Sequence, residues 1–248
     1  MQLYILCGAS SEIAKAYFTT LNEHLSSCLI VTISRQPQFA ADNPPIKHSN
    51  KHLHFETDYS EASLSAIAKT LTERQIPLSE LVIFNGILHD LNNQPERKLE
   101  QISDTHFINS MQTNALLPIR CVTAFSRLLD TKTKSVICAL SARVGSINDN
   151  NLGGWYSYRA SKAALNMLFK SAAIELSRRY KQNRCVLFHP GTTDTPLSKP
   201  FQGNVPDGKL FTPSFVSEQL FKFLSDARFL ANFDNPAYFD WQGQPIDW

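Results

Sequence analysis

The alternation of short apolar runs with longer segments of helical periodicity constrains the fold of this chain more than any other feature of its sequence. The predicted strands are Leu3–Cys7, Leu29–Ser34, His52–Thr57, Leu81–Asn85, Ser135–Leu140, Arg184–His189 and Ala237–Trp241. The predicted helices are Glu12–Ser26, Glu61–Gln75, Gln101–Leu129, Tyr156–Lys181 and Ser214–Ser225. The stretch 36–51, rich in Pro and Asn, is predicted as a loop. Alternating strands and helices predict a parallel sheet with right-handed crossovers.

This pattern indicates an α/β fold: a single Rossmann-type doubly wound parallel sheet of about seven strands with helices on both faces. A chain of 248 residues is long enough to bury the core of one such domain, and neither a repeat nor a linker divides residues 1–248. In doubly wound sheets, ligands bind at the carboxyl ends of the strands, near the point where the strand order reverses. Residues directly after predicted strands are therefore the candidates for a functional site.

Composition and termini restrict the function classes. A formal net charge of +2 with no basic run argues against a nucleic-acid partner. The apolar stretch 3–6 is too short for a signal peptide or a membrane span, so we expect a cytoplasmic protein that does not enter a membrane. The five cysteines lie in or beside apolar stretches, which favours buried free thiols in a reducing compartment. His48, His52 and His54 lack further ligands at zinc-site spacing, so no metal site is expected.

The turn between the first predicted strand and helix is a candidate phosphate-binding turn. Its candidate cofactor contacts are Gly8, Ser10, Ser11 and Ile13. Small residues there let backbone N–H groups and a helix N-terminus approach a pyrophosphate. However, Glu12 and Ala14 occupy positions where a dinucleotide-binding turn has glycines. A serine-capped helix after a strand would look the same, so the turn alone leaves both interpretations open.

The end of the second predicted strand bears on the choice of dinucleotide. At this position an acid holds the 2′-hydroxyl of the adenosine ribose, whereas an arginine can pair with a 2′-phosphate. The chain has Ser34-Arg35 there and no acid, which favours NADP(H) over NAD(H). Asp58, directly after the third predicted strand, is consistent with two roles: accepting from the adenine amino group, or capping the helix that begins near Glu61.

Tyr158 and Lys162 lie four residues apart at the start of a predicted helix, so their side chains project from one face. A phenol is a weak acid at neutral pH, and a nearby ammonium is expected to lower its pKa toward the working range. Ser141 follows the fifth predicted strand and can reach the same pocket, where it would hydrogen-bond a carbonyl oxygen.

Further short motifs follow predicted elements in the same order. They are Asn85-Gly86 after the fourth strand, Asn114 inside the long third helix, and Pro190-Gly191 after the sixth strand, with Thr193 and Thr195 behind it. Together with Ser141, Tyr158 and Lys162, this ordered set resembles the short-chain dehydrogenase/reductase family over essentially the whole chain.

The resemblance implies a role for each residue. Tyr158 gives or takes a proton as a hydride moves between nicotinamide C4 and a carbonyl or alcohol carbon. Ser141 positions the oxygen, Lys162 binds the nicotinamide ribose and lowers the pKa of Tyr158, and Asn114 completes the catalytic set. Ser146 is a rival to Ser141, because its spacing to Tyr158 is closer to that of most family members. The implied cofactor-binding residues are Gly8, Ser10, Ser11, Ile13, Arg35, Asp58, Asn85, Gly86, Tyr158, Lys162, Pro190, Gly191, Thr193 and Thr195.

The resemblance therefore implies an NADP(H)-dependent oxidoreductase acting on a small-molecule carbonyl or alcohol. The stretches 140–147, 153–166 and 240–248 look most like the C-factor branch of the family, which acts in cell–cell signalling. This leaves an alternative, a cofactor-binding signalling protein with little or no turnover. A monomer, a homodimer and a homotetramer all remain open.

Prolines indicate the structure of two further segments, the loop 194–213 and the part of the third predicted helix around Pro118. Residues 194–213 contain four prolines and two glycines, and a loop of this length beside the Pro-Gly motif is predicted to bind substrate. Pro118 has no N–H for the carbonyl of Asn114, so the predicted helix is expected to be distorted at 114–118.

Overall fold

A computed structural model describes residues 1–39, 46–90 and 93–248 of the chain. Its strands are β1 Gln2–Cys7, β2 Cys28–Ser34, β3 Lys51–Glu56, β4 Leu78–Ile83, β5 Ser135–Leu140, β6 Asn183–His189, β7 Thr192–Thr193, β8 Leu210–Phe211 and β9 Ala237–Asp240. Among these described strands, seven form one parallel sheet in the order β3-β2-β1-β4-β5-β6-β9, and β7 pairs with β8. The predicted seven-stranded doubly wound sheet is confirmed.

Helices cover both faces of this sheet. They are α1 Glu12–His24, α2 Glu61–Thr72, α3 Asp104–Met111, α4 Leu117–Phe125, α5 Tyr156–Arg179, α6 Pro213–Ser225 and α7 Ala227–Ala231. On one face, apolar residues of α2, α4 and α5 pack against alternate residues of the strands, including Ile5 and Leu81. On the other face, α1 and α6 bury Tyr17, Phe18 and Leu220 against the remaining strand residues. Period-2 strands between two layers of helices thus divide the core into two parts.

The strand order reverses between β1 and β4, and this positions the site. β1 pairs with β2 on one side and with β4 on the other, so that Ile5 lies opposite both Val31 and Leu81. The chain then runs outward to β3 on the first side and to β9 on the second. Connections leaving the carboxyl ends of β1 and β4 go to opposite faces, which opens a crevice between them.

The predicted helix Gln101–Leu129 is divided in the structure. A π-helical turn, Gln112–Leu116, joins α3 to α4, and in it the N–H of Leu117 donates to the carbonyl of Gln112, five residues back. Pro118 lacks the N–H that a regular α-helix would need at this point, and a wider turn accommodates the missing bond. The distortion that Pro118 predicts is therefore present.

Other boundaries differ from the predictions. β4 begins three residues earlier than expected, and the N–H of Phe84 still donates to the carbonyl of Cys7 just past its end. The loop 194–213 contains a 3₁₀ helix, Lys199–Asn204, and the short strand β8. In the predicted loop 36–51, residues 40–45 lie outside the described residues, while 36–39 and 46–50 are neither helix nor strand.

The five cysteine thiols are buried and free. None of the described helices combines the length and the apolar composition that a membrane crossing needs.

Candidate active site

A cavity of about 660 Å³ opens at the carboxyl ends of the strands. Predicted site residues that line it are Gly8, Ser10, Ser11, Ile13, Arg35, Asn85, Gly86, Ser141, Tyr158, Lys162, Pro190, Gly191, Thr193 and Thr195. These residues lie in segments that follow five different strands of the parallel sheet, β1, β2, β4, β5 and β6, and the sheet brings them to one edge. Asp58 and Asn114 are the predicted residues that do not line it.

The turn after β1 requires its single glycine. Gly8 has a φ of +77°, and a Cβ there would lie 2.8 Å from the backbone nitrogen of Asn85. The Gly8 N–H donates to the carbonyl of Ile33 at 3.0 Å and to the hydroxyl of Tyr59 at 2.7 Å. The Tyr59 hydroxyl in turn donates to the same Ile33 carbonyl at 2.9 Å. Tyr59, which the sequence analysis missed, thus ties this turn to the end of β2.

The unfavourable charge at Glu12 has a partner. Glu12 lines the cavity, and its carboxylate forms a 2.9 Å ion pair with the ammonium of Lys15, one turn further along α1. Ser11 caps the helix by accepting from the N–H of Ala14 at 3.3 Å, and a helix leaves its other first N–H groups without helical partners. The helix N-terminus at the cavity therefore retains its positive character.

Of the two residues predicted to contact the adenosine part of the cofactor, Arg35 lines the cavity and Asp58 does not. Arg35 is exposed and lines the cavity directly after β2. Asp58 lies outside the lining, and its carboxylate accepts from the N–H of Ser60 at 2.8 Å. Ser60 itself caps α2. Asp58 therefore does not cap α2 itself but binds the backbone of the residue that does.

Tyr158 and Lys162 lie on one face of α5, as their spacing predicts. The ammonium of Lys162 lies 5.9 Å from the centre of the Tyr158 ring and donates to the carbonyl of Leu140 at 2.8 Å. Burial raises the pKa of Tyr158 well above its usual range, and the neighbouring Tyr238 adds to this. Burial also lowers the pKa of Lys162 to about 8. Burial thus sets the direction of the Tyr158 pKa in this structure, and the lowering expected from Lys162 stays a prediction.

Ser141 and Ser146 take different positions. Ser141 lines the cavity, and its hydroxyl donates to the Asn166 side chain at 2.7 Å. Ser146 does not line the cavity; its hydroxyl accepts from the N–H of Asp149 at 3.0 Å, within the following loop. The structure thus favours Ser141 for contact with a ligand.

Asn114 lies behind the cavity and is fully buried. Its amide exchanges two hydrogen bonds with the backbone of Ile87, at 2.7 and 2.8 Å, and donates to Ser161 at 2.9 Å. A Cβ on Gly86 would lie 3.5 Å from the Asn114 Oδ1 and 3.6 Å from the Lys162 ammonium. Asn114 therefore connects the π-helical turn to α5 and to the loop after β4, close to Lys162.

The Pro-Gly segment after β6 also depends on its glycine. Gly191 has a φ of +71°, and a Cβ there would lie 2.7 Å from the ring of Phe211. The following Thr193 and Thr195 line the cavity, and the Thr195 N–H donates to Ser198. This pairing holds the first part of the loop 194–213 against the cavity.

Apolar residues surround Tyr158 in a third cluster, separate from the two parts of the core. Leu88, Ala142 and Tyr158 are buried in it, and Val144, Trp155, Leu197 and Phe201 pack against them. All seven line the cavity. Leu197 and Phe201 belong to the predicted substrate loop, so this loop does contribute to the cavity wall.

The described residues include no cluster of three or more His, Cys, Asp or Glu side chains that could hold a metal ion. His52 and His54 instead bond to the hydroxyl of Thr32 between β2 and β3.

Comparison with known proteins agrees with this arrangement. A family model for short chain dehydrogenases matches residues 2–205. The chain is 31% identical over 166 residues to 1-hydroxy-2-glutathionyl-2-methyl-3-butene dehydrogenase of Rhodococcus sp. (strain AD45), covering 66% of each chain. It is 33% identical over 139 residues to C-signal of Myxococcus xanthus, covering 54% of this chain and 74% of that one.

A solved structure shows the same fold. It is a short-chain dehydrogenase/reductase from Burkholderia multivorans with bound NADP, with a TM-score of 0.77, 23% identity, and coverage of 100% of this chain and 99% of that one. The matched family model, the sheet order and the ordered motifs lead to one conclusion. This chain belongs to the short-chain dehydrogenase/reductase family of oxidoreductases and resembles its C-factor branch.

Proposed function

We propose that this protein transfers a hydride between NADP(H) and a carbonyl or alcohol substrate, with Tyr158 as the acid/base. The main support for this proposal is a single cavity. It is lined by Arg35, after β2, and by Tyr158, Lys162 and Ser141 on the β5 side of the sheet. The turn at Gly8 lies between these two ends, because β1 lies between β2 and β4.

The residues present fit a nicotinamide dinucleotide. The turn at Gly8 leaves no room for a Cβ, and α1 directs its first N–H groups at the same cavity. Asn85 and Gly86, after β4, line the same cavity, with Asn85 directly beside the turn at Gly8. Thr193 and Thr195 would hold the carboxamide end. When bound, the cofactor supplies or accepts the hydride.

The residues around Tyr158 can hold and move the accompanying proton. The Tyr158 hydroxyl is protonated at neutral pH, as a phenol is even at its ordinary pKa, and can donate to a substrate oxygen. Lys162 remains mostly protonated at neutral pH, since its pKa is about 8, and its charge favours the phenolate that is left after donation. The Ser141 hydroxyl, which donates to Asn166, can donate to the substrate oxygen instead.

Arg35 supports the choice of NADP(H). It lines the cavity after β2, where the chain has no acid to hold a ribose 2′-hydroxyl. The Burkholderia multivorans structure of the same fold contains NADP, which is consistent with this choice.

The test is a cofactor titration followed by assays of NADPH oxidation with a panel of aldehydes and ketones. Tyr158→Phe should bind NADPH as the wild type does but turn over about 10²–10⁴-fold more slowly. Tyr156→Phe is the matched control, because Tyr156 lies two residues away and does not line the cavity. If Tyr156→Phe abolished turnover and Tyr158→Phe did not, the assignment would be wrong.

The similarity to C-signal favours one alternative, a cofactor-binding signalling protein. NADPH binding without turnover on any carbonyl, in wild type and Tyr158→Phe alike, would support that alternative.

A further inference from the structure

We propose that the cluster around Tyr158 is a binding site for an uncharged aromatic group carried by the substrate. This aromatic chamber consists of Leu88, Ala142, Val144, Trp155, Leu197 and Phe201, which surround the Tyr158 ring. The inference rests on the proposed function, because it names the substrate class of the same site.

The rings of the chamber form a chain of aromatic contacts that ends at Tyr158. Trp155 lies 6.2 Å from the Tyr158 ring in an edge-on arrangement and 5.2 Å from Phe201. Phe201 in turn meets His89 edge-on at 5.6 Å. Aromatic pairs prefer offset and edge-on arrangements over face-to-face stacking, and they stabilise more than their buried area alone accounts for. A ring next to the reacting carbonyl would extend this chain into the cavity.

One exposed apolar residue also lines the cavity. Leu152 lines the cavity although its side chain is 93% exposed. An apolar side chain at a cavity mouth gains free energy when a ligand covers it, in proportion to the apolar area removed from water. Leu152 therefore offers apolar surface that a ring of the substrate can cover.

The arginines that line this cavity beside the chamber are already engaged. Arg143 pairs with Asp240 at 2.9 Å and with Asp149 at 3.4 Å. Arg159 donates to the carbonyl oxygens of Gly153 and Gly154. Burial of His189 lowers its pKa to about 4, so its ring is neutral at neutral pH. A substrate carboxylate would compete with Asp240 and Asp149 for Arg143, whereas an uncharged ring would not.

The test compares two ketones of nearly equal size, phenylacetone and cyclohexylacetone, in wild type and variants. In both compounds a methylene separates the ring from the carbonyl, so the intrinsic reactivities are similar. Wild type should prefer phenylacetone in kcat/KM, and Trp155→Leu or Phe201→Leu should reduce the ratio of the two kcat/KM values about two- to tenfold. Phe221→Leu is the matched control, since Phe221 stacks on His24 outside the cavity, and it should keep the wild-type ratio.

The outcomes separate this inference from the proposed function. Turnover of ketones with no preference for phenylacetone, or with a ratio unchanged in both Leu variants, would overturn the chamber and leave the proposed function intact. If no carbonyl compound supported NADPH oxidation, both the aromatic chamber and the proposed function would be overturned.

A second inference rests on different contacts, those of Glu96. Glu96 is 2% exposed, and its carboxylate accepts both the N–H and the hydroxyl of Ser157, in the first turn of α5. The Glu96 carbonyl accepts the N–H of Trp155. Trp155 itself has a left-handed conformation with a φ of 52° and offers no side-chain cap to α5. Glu96, from a distant loop, therefore supplies the cap that the local sequence lacks.

We infer that Glu96 is a positioning residue for Tyr158. Its carboxylate fixes the first turn of a 24-residue helix one residue before Tyr158, and its negative charge is stabilised there by the helix N-terminus. Its backbone fixes Trp155, which forms the wall of the aromatic chamber. A shift of the first turn of α5 would move the Tyr158 hydroxyl relative to the substrate. It would not move the turn at Gly8, because that turn follows β1, so cofactor binding should be retained.

Glu96→Gln keeps the size of the side chain but replaces one accepting oxygen with an NH₂ group. It should lower kcat by about tenfold or more, because small displacements of a reacting group are costly, while the NADPH dissociation constant stays within about twofold. Ser157→Ala removes one of the same bonds and should act in the same direction, less strongly. Glu100→Gln, an exposed acid four residues away, should match the wild type in kcat. Variants that melt at lower temperature but keep the wild-type kcat and KM would show that Glu96 is only structural and refute the inference.

Discussion

Glu80 makes the stability of this protein depend on pH in a way that can be worked out from its surroundings. It lies on β4 between Tyr4 of β1 and Val136 of β5, and is 5% exposed. Its carboxyl accepts one strong hydrogen bond, 2.6 Å from the hydroxyl of Tyr17. Burial raises its pKa from 4.5 to about 7, and the bond from Tyr17 offsets only part of this effect.

The direction of this pH dependence follows from the coupling between proton binding and folding. An acid whose pKa is higher in the folded than in the unfolded state binds more protons when folded, so folding is favoured at low pH. The contribution is fully present below about pH 4.5 and is lost as the pH rises through about 7. At about 1.4 kcal/mol per pKa unit, the free energy of unfolding should fall by roughly 3 kcal/mol from this group alone. Glu80→Gln removes the titration and still leaves an oxygen to accept from Tyr17.

The measurement is urea unfolding of wild type and Glu80→Gln from about pH 5 to about pH 8, without cofactor. The two proteins should be similar in stability near pH 5, and the variant should gain on the wild type by up to about 3 kcal/mol near pH 8. Glu175→Gln, an exposed acid on α5, should run parallel to the wild type and serves as the control. Parallel curves for Glu80→Gln would mean that the carboxylate is well solvated when ionised, which would refute the reasoning.

Three further predictions concern the cofactor end of the cavity. Arg35→Asp should weaken NADPH binding about tenfold to a hundredfold and improve NADH binding in fluorescence titrations, because a paired charge becomes a repelling one; equal wild-type affinity for both would count against NADP(H). Tyr59→Phe should lower NADPH affinity several-fold and destabilise the fold by about 1 kcal/mol, since the N–H of Gly8 loses a buried partner; an unchanged titration would exclude a role in holding the turn. Asp58→Ala should leave NADPH affinity within about twofold while lowering Tm slightly, and a large loss of affinity would restore the adenine-binding role.

Strand ends explain why much of the candidate site could be predicted from the sequence. Apolar runs identify strands, parallel strands align their carboxyl ends, and residues after those ends must meet at one edge of the sheet. Gly8, Arg35, Asn85 and Ser141 all line the cavity for this reason. The break in the third predicted helix was likewise predictable, because Pro118 removes a donor wherever it stands.

Contacts between distant segments could not be predicted in this way. Tyr59 lies 51 positions from Gly8, and Glu96 lies 61 positions from Ser157. Neither belongs to a periodic pattern or a short motif, so a single sequence contains no signal for either bond. Lys15 is different: its spacing of three from Glu12 on a helix would have predicted their pairing.

The pKa of Tyr158 shows most clearly what sequence spacing omits. Spacing places Lys162 beside the phenol but says nothing of how deeply both are buried, and burial moves the two pKa values in opposite directions, each toward the neutral form. A phenol that holds its proton at neutral pH is ready to donate it to a carbonyl oxygen. Removing a proton from an alcohol needs the phenolate, which the apolar surroundings disfavour. Donation to a carbonyl oxygen also leaves the phenolate, so burial among the side chains of the aromatic chamber raises the free energy of the phenolate in both directions of the reaction, and the charge of Lys162 offsets part of this effect.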